Sequence, residues 1–253
     1  MVATKIYGHR GCMGTYPENT LLGFEKAIEQ GVDGIELDVQ MTKDGEIVVI
    51  HDEMLDRTTD GTGYITDLTL EEVKRYSAGV NYSNFQFYNE VVWAKETVPT
   101  LHEVLEFLTP YDVELNIELK TYLIEYEGIE EKVVSLVNQY GNNRKVIFSS
   151  FHLPSLLRIK RIDPTAKIAW LLHQIISQPH DYLETFTLDA IHLSKDILLS
   201  NVYQFKELSR NLRVWMVNDI DEIKQLIDLN VDSIITDFPE RALFYRSERA
   251  SFV

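Results

Sequence analysis

Apolar, β-rich runs recur along the chain at 5–8, 34–39, 113–119, 146–148, 167–172, 190–193, 213–217 and 233–236, each short enough for one strand. Between them the apolar positions change to a spacing near 3.6, which predicts helices over 21–30, 101–107, 130–140, 153–162, 201–208 and 220–229. Strand and helix alternate from one end to the other, the pattern of an all-parallel sheet. The predicted class is α/β, with eight strands closing into a (β/α)8 TIM barrel.

A ninth apolar run, 46–50, breaks the alternation. Only Lys43-Asp44-Gly45 separates it from the strand before, too little chain for a helical crossover and rich in turn residues, so it must return antiparallel. A two-residue turn would set His51 opposite Asp38 and a three-residue turn opposite Leu37. In either register His51 comes back toward the acids of the second strand.

The stretch from 53 to 100 is rich in turns and aromatics and holds one convincing helix, 70–76. It reads as a small insertion after the second barrel strand, on the functional rim, and the sequence leaves open whether it shapes the substrate site or merely connects. No internal repeat or low-complexity tract interrupts the chain.

At 253 residues and 45% hydrophobic, residues 1–253 are expected to form a single domain. The lone Cys12 has no internal disulfide partner, and Met1 to Lys5 leads into the first strand without an apolar signal segment. The expected setting is therefore cytoplasmic, and no apolar run approaches the length of a transmembrane segment. Acidic residues outnumber basic ones 40 to 24, for a net charge of -16, which argues against nucleic acid as a partner. An anionic substrate would need positive charge supplied locally, by a metal or by a few fixed side chains. A homo-oligomer is compatible with the chain, and nothing in it requires one.

Glu36 and Asp38 stand two apart on the second strand, so both carboxylates share one face. Two acids directed into a barrel are costly unless they share a cation. Glu118 repeats the arrangement on the next barrel strand. Each acid alone would be an ordinary salt-bridged strand end; together they make an all-oxygen set suited to one divalent ion, Mg²⁺ or Ca²⁺. His9 ends the first strand and His51 ends the hairpin. Two histidines beside carboxylates suit paired acid and base catalysis. Arg10 and Lys120 supply the local positive charge, Arg as a two-pronged grip and Lys as a mobile point charge. Trp215 is a candidate wall of the substrate pocket.

These residues lie in a set of motifs that resembles the glycerophosphodiester phosphodiesterase family: His9-Arg10-Gly11, Pro17-Glu18-Asn19-Thr20, Glu36-Leu37-Asp38-Val39, His51-Asp52, Asp56-Arg57-Thr58-Thr59, Pro99-Thr100-Leu101, Glu118-Leu119-Lys120, Ser149-Ser150-Phe151, Trp215-Met216-Val217-Asn218 and Thr236-Asp237-Phe238-Pro239. Met216 stands where the family usually carries Thr. The resemblance implies a (β/α)8 barrel that hydrolyses glycerophosphodiesters to sn-glycerol 3-phosphate and an alcohol, in lipid and glycerol metabolism. It implies Glu36, Asp38 and Glu118 as ligands of the divalent ion, His9 and His51 as the acid/base pair, and Arg10 and Lys120 as phosphate contacts. It also implies that the insertion caps the glycerol end of the substrate.

Two other readings remain at this level. One is phospholipase-like cleavage of lysophospholipids, for which Tyr64, Phe85, Phe87, Tyr88 and Trp93 of the insertion would have to line an apolar groove. The other is a non-catalytic barrel that binds phosphoglycerol. Glu18 and Asn19 are expected to organise the start of the first helix.

Overall fold

The computed structural model describes residues 3–250. Among them are nine strands: β1 (Lys5–Gly8), β2 (Gly34–Met41), β3 (Ile47–Val49), β4 (Glu114–Leu119), β5 (Val146–Ser150), β6 (Lys167–Leu172), β7 (Ala190–Ser194), β8 (Leu212–Trp215) and β9 (Ser233–Thr236). All except β3 run parallel, and pairing of β1 with both β9 and β2 closes eight of them into a barrel. This is the expected TIM barrel. The six predicted helices recur with small shifts, save that 201–208 is a short helix, Val202–Phe205, continued as a 3-10 segment, Lys206–Asn211. Further helices at Pro179–Thr185, Lys195–Ser200 and Pro239–Ala250 complete the outer ring.

Strand alternation divides the barrel chemically. Outward residues such as Ile6, Ile35, Leu37, Leu115, Ile117, Ile168, Ile191, Val214 and Ile234 join the surrounding helices in one large core. Burying each such side chain is worth about 1.5–3 kcal/mol, so this shell carries the stability. The inward face is thereby free to be polar. Its apolar contribution is smaller, the cluster Ile147, Ala169 and Ala190 with Leu171 and Ile235 nearer the cleft.

The hairpin resolves to the three-residue turn. Val39 pairs with Val49 and Met41 with Ile47, a register that, extended, sets His51 opposite Leu37. The Gly45 amide donates to the Thr42 carbonyl at 2.9 Å, and Gly45 has φ +84°. A residue in that left-handed conformation after a tight turn forms a bulge, and glycine adopts it without strain.

The insertion carries a core of its own. Leu55, Ile65, Val73, Ala78 and Val98 pack beneath Val48 and Ile50 of the hairpin. Isolated bridges Met54 to Tyr64 and Ser77 to Thr97 tie it together. Its expected helix is shorter than 70–76, ending at Val73. A capping box between Thr69 and Glu72 starts that helix.

Candidate active site

The C-terminal ends of β1, β2 and β4, with the residues just after β3, face one cleft. Asp38 and Glu118 are register partners on β2 and β4. Carboxylate oxygens of Glu36, Asp38 and Glu118 lie within 4.8 Å of one another. Glu36 and Asp38 are buried and Glu118 nearly so. Burial, then the charges of Asp38 and Glu118, push the Glu36 carboxyl well above its ordinary range. Burial works against the Asp38 charge as well, but Arg10, Lys120 and His51 outweigh it and hold that carboxyl well below the ordinary range. One oxygen of Asp38, Oδ1, is buried without a hydrogen bond.

A buried carboxylate oxygen without a hydrogen bond beside two more acids is costly in this form. The donor set, all oxygen and convergent, fits a hard divalent cation. Lys120 and Arg10 offset only part of the negative charge. The Lys120 ammonium sits 2.9 Å from Glu118 and 3.8 Å from Asp38. Burial disfavours its charge, but those two carboxylates raise its pKa above the ordinary lysine value.

The loop after β1 is shaped by close backbone approach. A Cβ on Gly8 would lie 2.0 Å from the Gly11 carbonyl oxygen, so the chain can fold back directly after His9 only with glycine there. Arg10 itself has φ +48°. Its amide donates to Glu36 at 3.0 Å, while its side chain meets Asp38 at 3.1 Å and Glu18 at 2.7 Å. Glu18 then takes two hydrogen bonds from Arg57, at 2.7 and 2.8 Å, and Arg57 reaches Asp52 at 2.7 Å. A chain of alternating charge thus runs Asp38, Arg10, Glu18, Arg57, Asp52, His51. It binds the insertion to both sides of the cleft.

Each histidine is held by an acid. Nδ1 of His51 lies 2.6 Å from Asp52, and Nδ1 of His9 lies 2.6 Å from Asp237. Asn218 steadies Asp237 by donating to it at 2.6 Å. The remaining nitrogens differ. His51 Nε2 faces the Lys120 ammonium at 3.1 Å, whereas His9 Nε2 faces Glu36 at 3.9 Å. Trp215 lines the cleft with its indole N–H donating to the His192 carbonyl at 3.0 Å, and it packs edge-on against Phe151.

All eight sequence-predicted side chains therefore converge on one rim, seven of them in the polar centre and Trp215 on its wall. Two expectations need correction. Thr20, rather than Glu18 or Asn19, caps the first helix, Leu21–Gln30, by accepting from the Gly23 amide. Glu18 and Asn19 turn into the site instead, Asn19 donating to Asp38 at 2.9 Å. The insertion aromatics do not line the cleft. Phe87 stacks on Tyr16, and Phe85 and Tyr88 meet the buried Trp93 edge-on.

Sequence reasoning gave no place in the site to Asp237, Asn218, Arg57 or Glu18. Polar residues at strand ends were the available signal for Asp237; for Arg57, 39 residues from Glu18, it was the Asp56-Arg57-Thr58-Thr59 motif alone.

A barrel whose C-terminal rim joins an acid cluster to two acid-backed histidines and fixed cations has the groups that hydrolysis of an anionic ester would use. Comparison then gives the family. Residues 9–241 match the model of the glycerophosphoryl diester phosphodiesterase family, and the chain belongs to that family. A glycerophosphodiester phosphodiesterase of Bacillus altitudinis is 41% identical, covering 97% of this chain and 99% of its own. One from Caldanaerobacter subterraneus subsp. tengcongensis is 39% identical over 94% and 95%. Among solved structures, an Oleispira antarctica phosphodiesterase in complex with the product sn-glycerol-3-phosphate aligns with a TM-score of 0.85 at 28% identity, covering 97% of each chain. The chain is thus an enzyme, a phosphodiesterase acting on glycerophosphodiesters, which sets aside the non-catalytic reading. Among the described residues no helix is long and apolar enough to cross a membrane.

Proposed function

We propose that the chain hydrolyses glycerophosphodiesters to sn-glycerol 3-phosphate and an alcohol, using one divalent cation, Mg²⁺ or Ca²⁺, held by Glu36, Asp38 and Glu118. The observation that carries this reading is the convergence of those three carboxylates, one oxygen of Asp38 without a hydrogen bond, beside two histidines each backed by an acid. When bound, the cation polarises the phosphoryl group and offsets the acid cluster.

The chain's own groups divide the remaining work. Arg10 and Lys120 bind the phosphoryl oxygens and stabilise the charge that builds there. Lys120 is a donor only, so the His51 Nε2 facing it carries a lone pair and Nδ1–H donates to Asp52. That tautomer suits His51 as the base that deprotonates the nucleophile. His9, its Nδ1 held by Asp237 at 2.6 Å and its ring lining the cleft, is the other member of the pair and protonates the departing alkoxide. Trp215 and Phe151 form the wall against which the substrate lies.

The test is turnover of glycerophosphocholine with and without a chelator, and by His9→Ala. Loss of activity in both supports the reading; activity untouched by both sinks it. The nucleophile is either water or the substrate's own glycerol 2-hydroxyl. Early accumulation of a cyclic phosphate excludes direct attack by water and identifies the hydroxyl.

A further inference from the structure

At the N-terminal mouth of the barrel, the end opposite the acid cluster, a cavity of about 600 Å³ opens between the starts of β1, β4, β5, β6, β7 and β8. Its floor is buried and largely apolar, built by Tyr7, Leu115, Ile147, Phe148 and Ala190. Six cations line it, Lys5, Arg144, Lys145, Lys167, Arg210 and Arg213, against four carboxylates, Glu114, Asp163, Asp189 and Asp232. The chain as a whole has the opposite balance, 40 acids to 24 bases, so this cavity inverts the charge of its surroundings.

The carboxylates leave part of that positive charge unmatched. Asp163 accepts from the amide and hydroxyl of Thr165 and pairs with none of the six cations. Each of the other three is shared between two cations: Glu114 lies 2.8 Å from Lys5 and 3.3 Å from Lys145, Asp189 lies 2.8 Å from Lys167 and 3.7 Å from Lys160, and Asp232 lies 3.1 Å from Arg213 and 3.5 Å from Arg210. Arg144 has no carboxylate partner among the described residues and donates instead to the Leu108 and Val113 carbonyls. Arg213 is the least satisfied of the set. Its neighbours Leu212 and Val214 face the outer core, so its own side chain turns into the barrel, where it is only 9% exposed. The guanidinium lies 5.0 Å from the centre of the Tyr7 ring, Nε alone meets Asp232, and Nη1 makes no hydrogen bond. Its register partners His192 and Ser233 also hold buried polar atoms without a hydrogen bond. A guanidinium stays charged when buried, so donors left free in this way gain from an acceptor brought to them.

We propose that this cavity is an anion-binding site for a dianionic phosphoryl group, carried by a small monoester or present as free phosphate, with Arg213 as its buried anchor. Two negative charges match the excess of two cations in the lining, and several acceptor oxygens suit a mixed set of arginine and lysine donors. The space exceeds what bare phosphate fills, and the apolar floor can receive the body of an ester. The site takes no part in the chemistry at the other mouth. Occupancy stabilises the fold by mass action, because only the closed barrel brings these cations together.

The experiment is calorimetric titration of the full chain, in chelator, with inorganic phosphate and with phenyl phosphate. Wild type, Arg213→Gln, Arg213→Lys, the double variant Lys145→Gln/Lys167→Gln and Lys120→Ala are compared. Arg213→Gln is expected to weaken binding by about tenfold or more, and Arg213→Lys to recover part of that loss, as a charge-assisted contact requires. Lys145 and Lys167 are exposed, so the double variant tests the cavity even if Arg213→Gln fails to fold, and it is expected to weaken binding by roughly two- to fivefold. Lys120→Ala, which alters only the catalytic cleft, is expected to bind as the wild type does. Tighter binding of phenyl phosphate than of inorganic phosphate assigns a monoester; equal or weaker binding assigns free phosphate. Absence of binding to the wild type, an affinity unchanged in the double variant or in a folded Arg213→Gln, or loss of binding in Lys120→Ala overturns the proposal.

Discussion

At the N-terminal mouth of the barrel opposite charges meet. Lys5 reaches Glu114 at 2.8 Å, the Tyr7 hydroxyl donates to the same carboxylate at 2.6 Å, Lys167 meets Asp189 at 2.8 Å and Arg213 meets Asp232 at 3.1 Å. At the C-terminal mouth, Glu36, Asp38 and Glu118 converge instead, and one of their buried oxygens has no hydrogen bond. The same barrel thus uses charge at one end to hold the strands and at the other to attract positive charge. The first arrangement contributes stability; the second costs stability until a cation completes it.

The largest effects should come from the C-terminal mouth. His9→Ala and His51→Ala should each lower kcat by roughly 10²–10⁴-fold, with an unchanged circular dichroism spectrum. A loss smaller than tenfold in either would remove that histidine from proton transfer. Asp237→Asn leaves the His9 ring in place but weakens its orienting partner, and should lower kcat by about 10–100-fold with little change in KM.

At the N-terminal mouth the expectation reverses. Glu114→Gln should cost about 1–2 kcal/mol in urea unfolding at neutral pH while leaving kcat/KM unaltered. Burial raises the Glu114 pKa, but the hydrogen bonds from Lys5 and Tyr7 outweigh it, so the folded value lies below the ordinary one. A depressed folded pKa means that the contribution is complete above the unfolded value, about 4.3, and fades as pH falls through the folded value. Wild-type and variant stabilities should therefore converge on acidification. Curves that stay parallel down to pH about 3 would show that Glu114 is not the group responsible.

The smallest change sharpens the comparison by its sign. Glu118→Gln removes one of three converging charges, so in the presence of chelator it should raise unfolding stability by up to about 1 kcal/mol. Added Mg²⁺ or Ca²⁺ should then stabilise the variant less than the wild type, as mass action on a weakened site requires. Destabilisation in chelator would mean that the Lys120 contact, and not cation binding, is what Glu118 supplies.

Much of this was legible in the sequence because alternation along a strand is local. Glu36, Asp38, Glu118 and Lys120 could be assigned a shared direction from spacing alone. The hairpin was legible to within one residue. The choice between its registers fell to Gly45, whose left-handed φ builds a three-residue turn and carries His51 opposite Leu37. The loop residues were harder. Glu18 and Asn19 precede a helix and look like capping residues, but Thr20 satisfies the helix and frees them for Arg10 and Asp38. Asn19 and Arg10 both have positive φ, a conformation that side-chain periodicity does not report.

By itself the sequence determined which residues face inward, that a reversed strand returns His51 to the rim, and that an acidic chain must hold its few site cations in fixed places. Only the tertiary structure decided which acid orients which histidine, and that Arg57 closes the link from Glu18 to Asp52. Those contacts join segments as far apart as His9 and Asp237, 228 positions along the chain. Their distances follow from barrel closure and strand tilt, which no local pattern encodes.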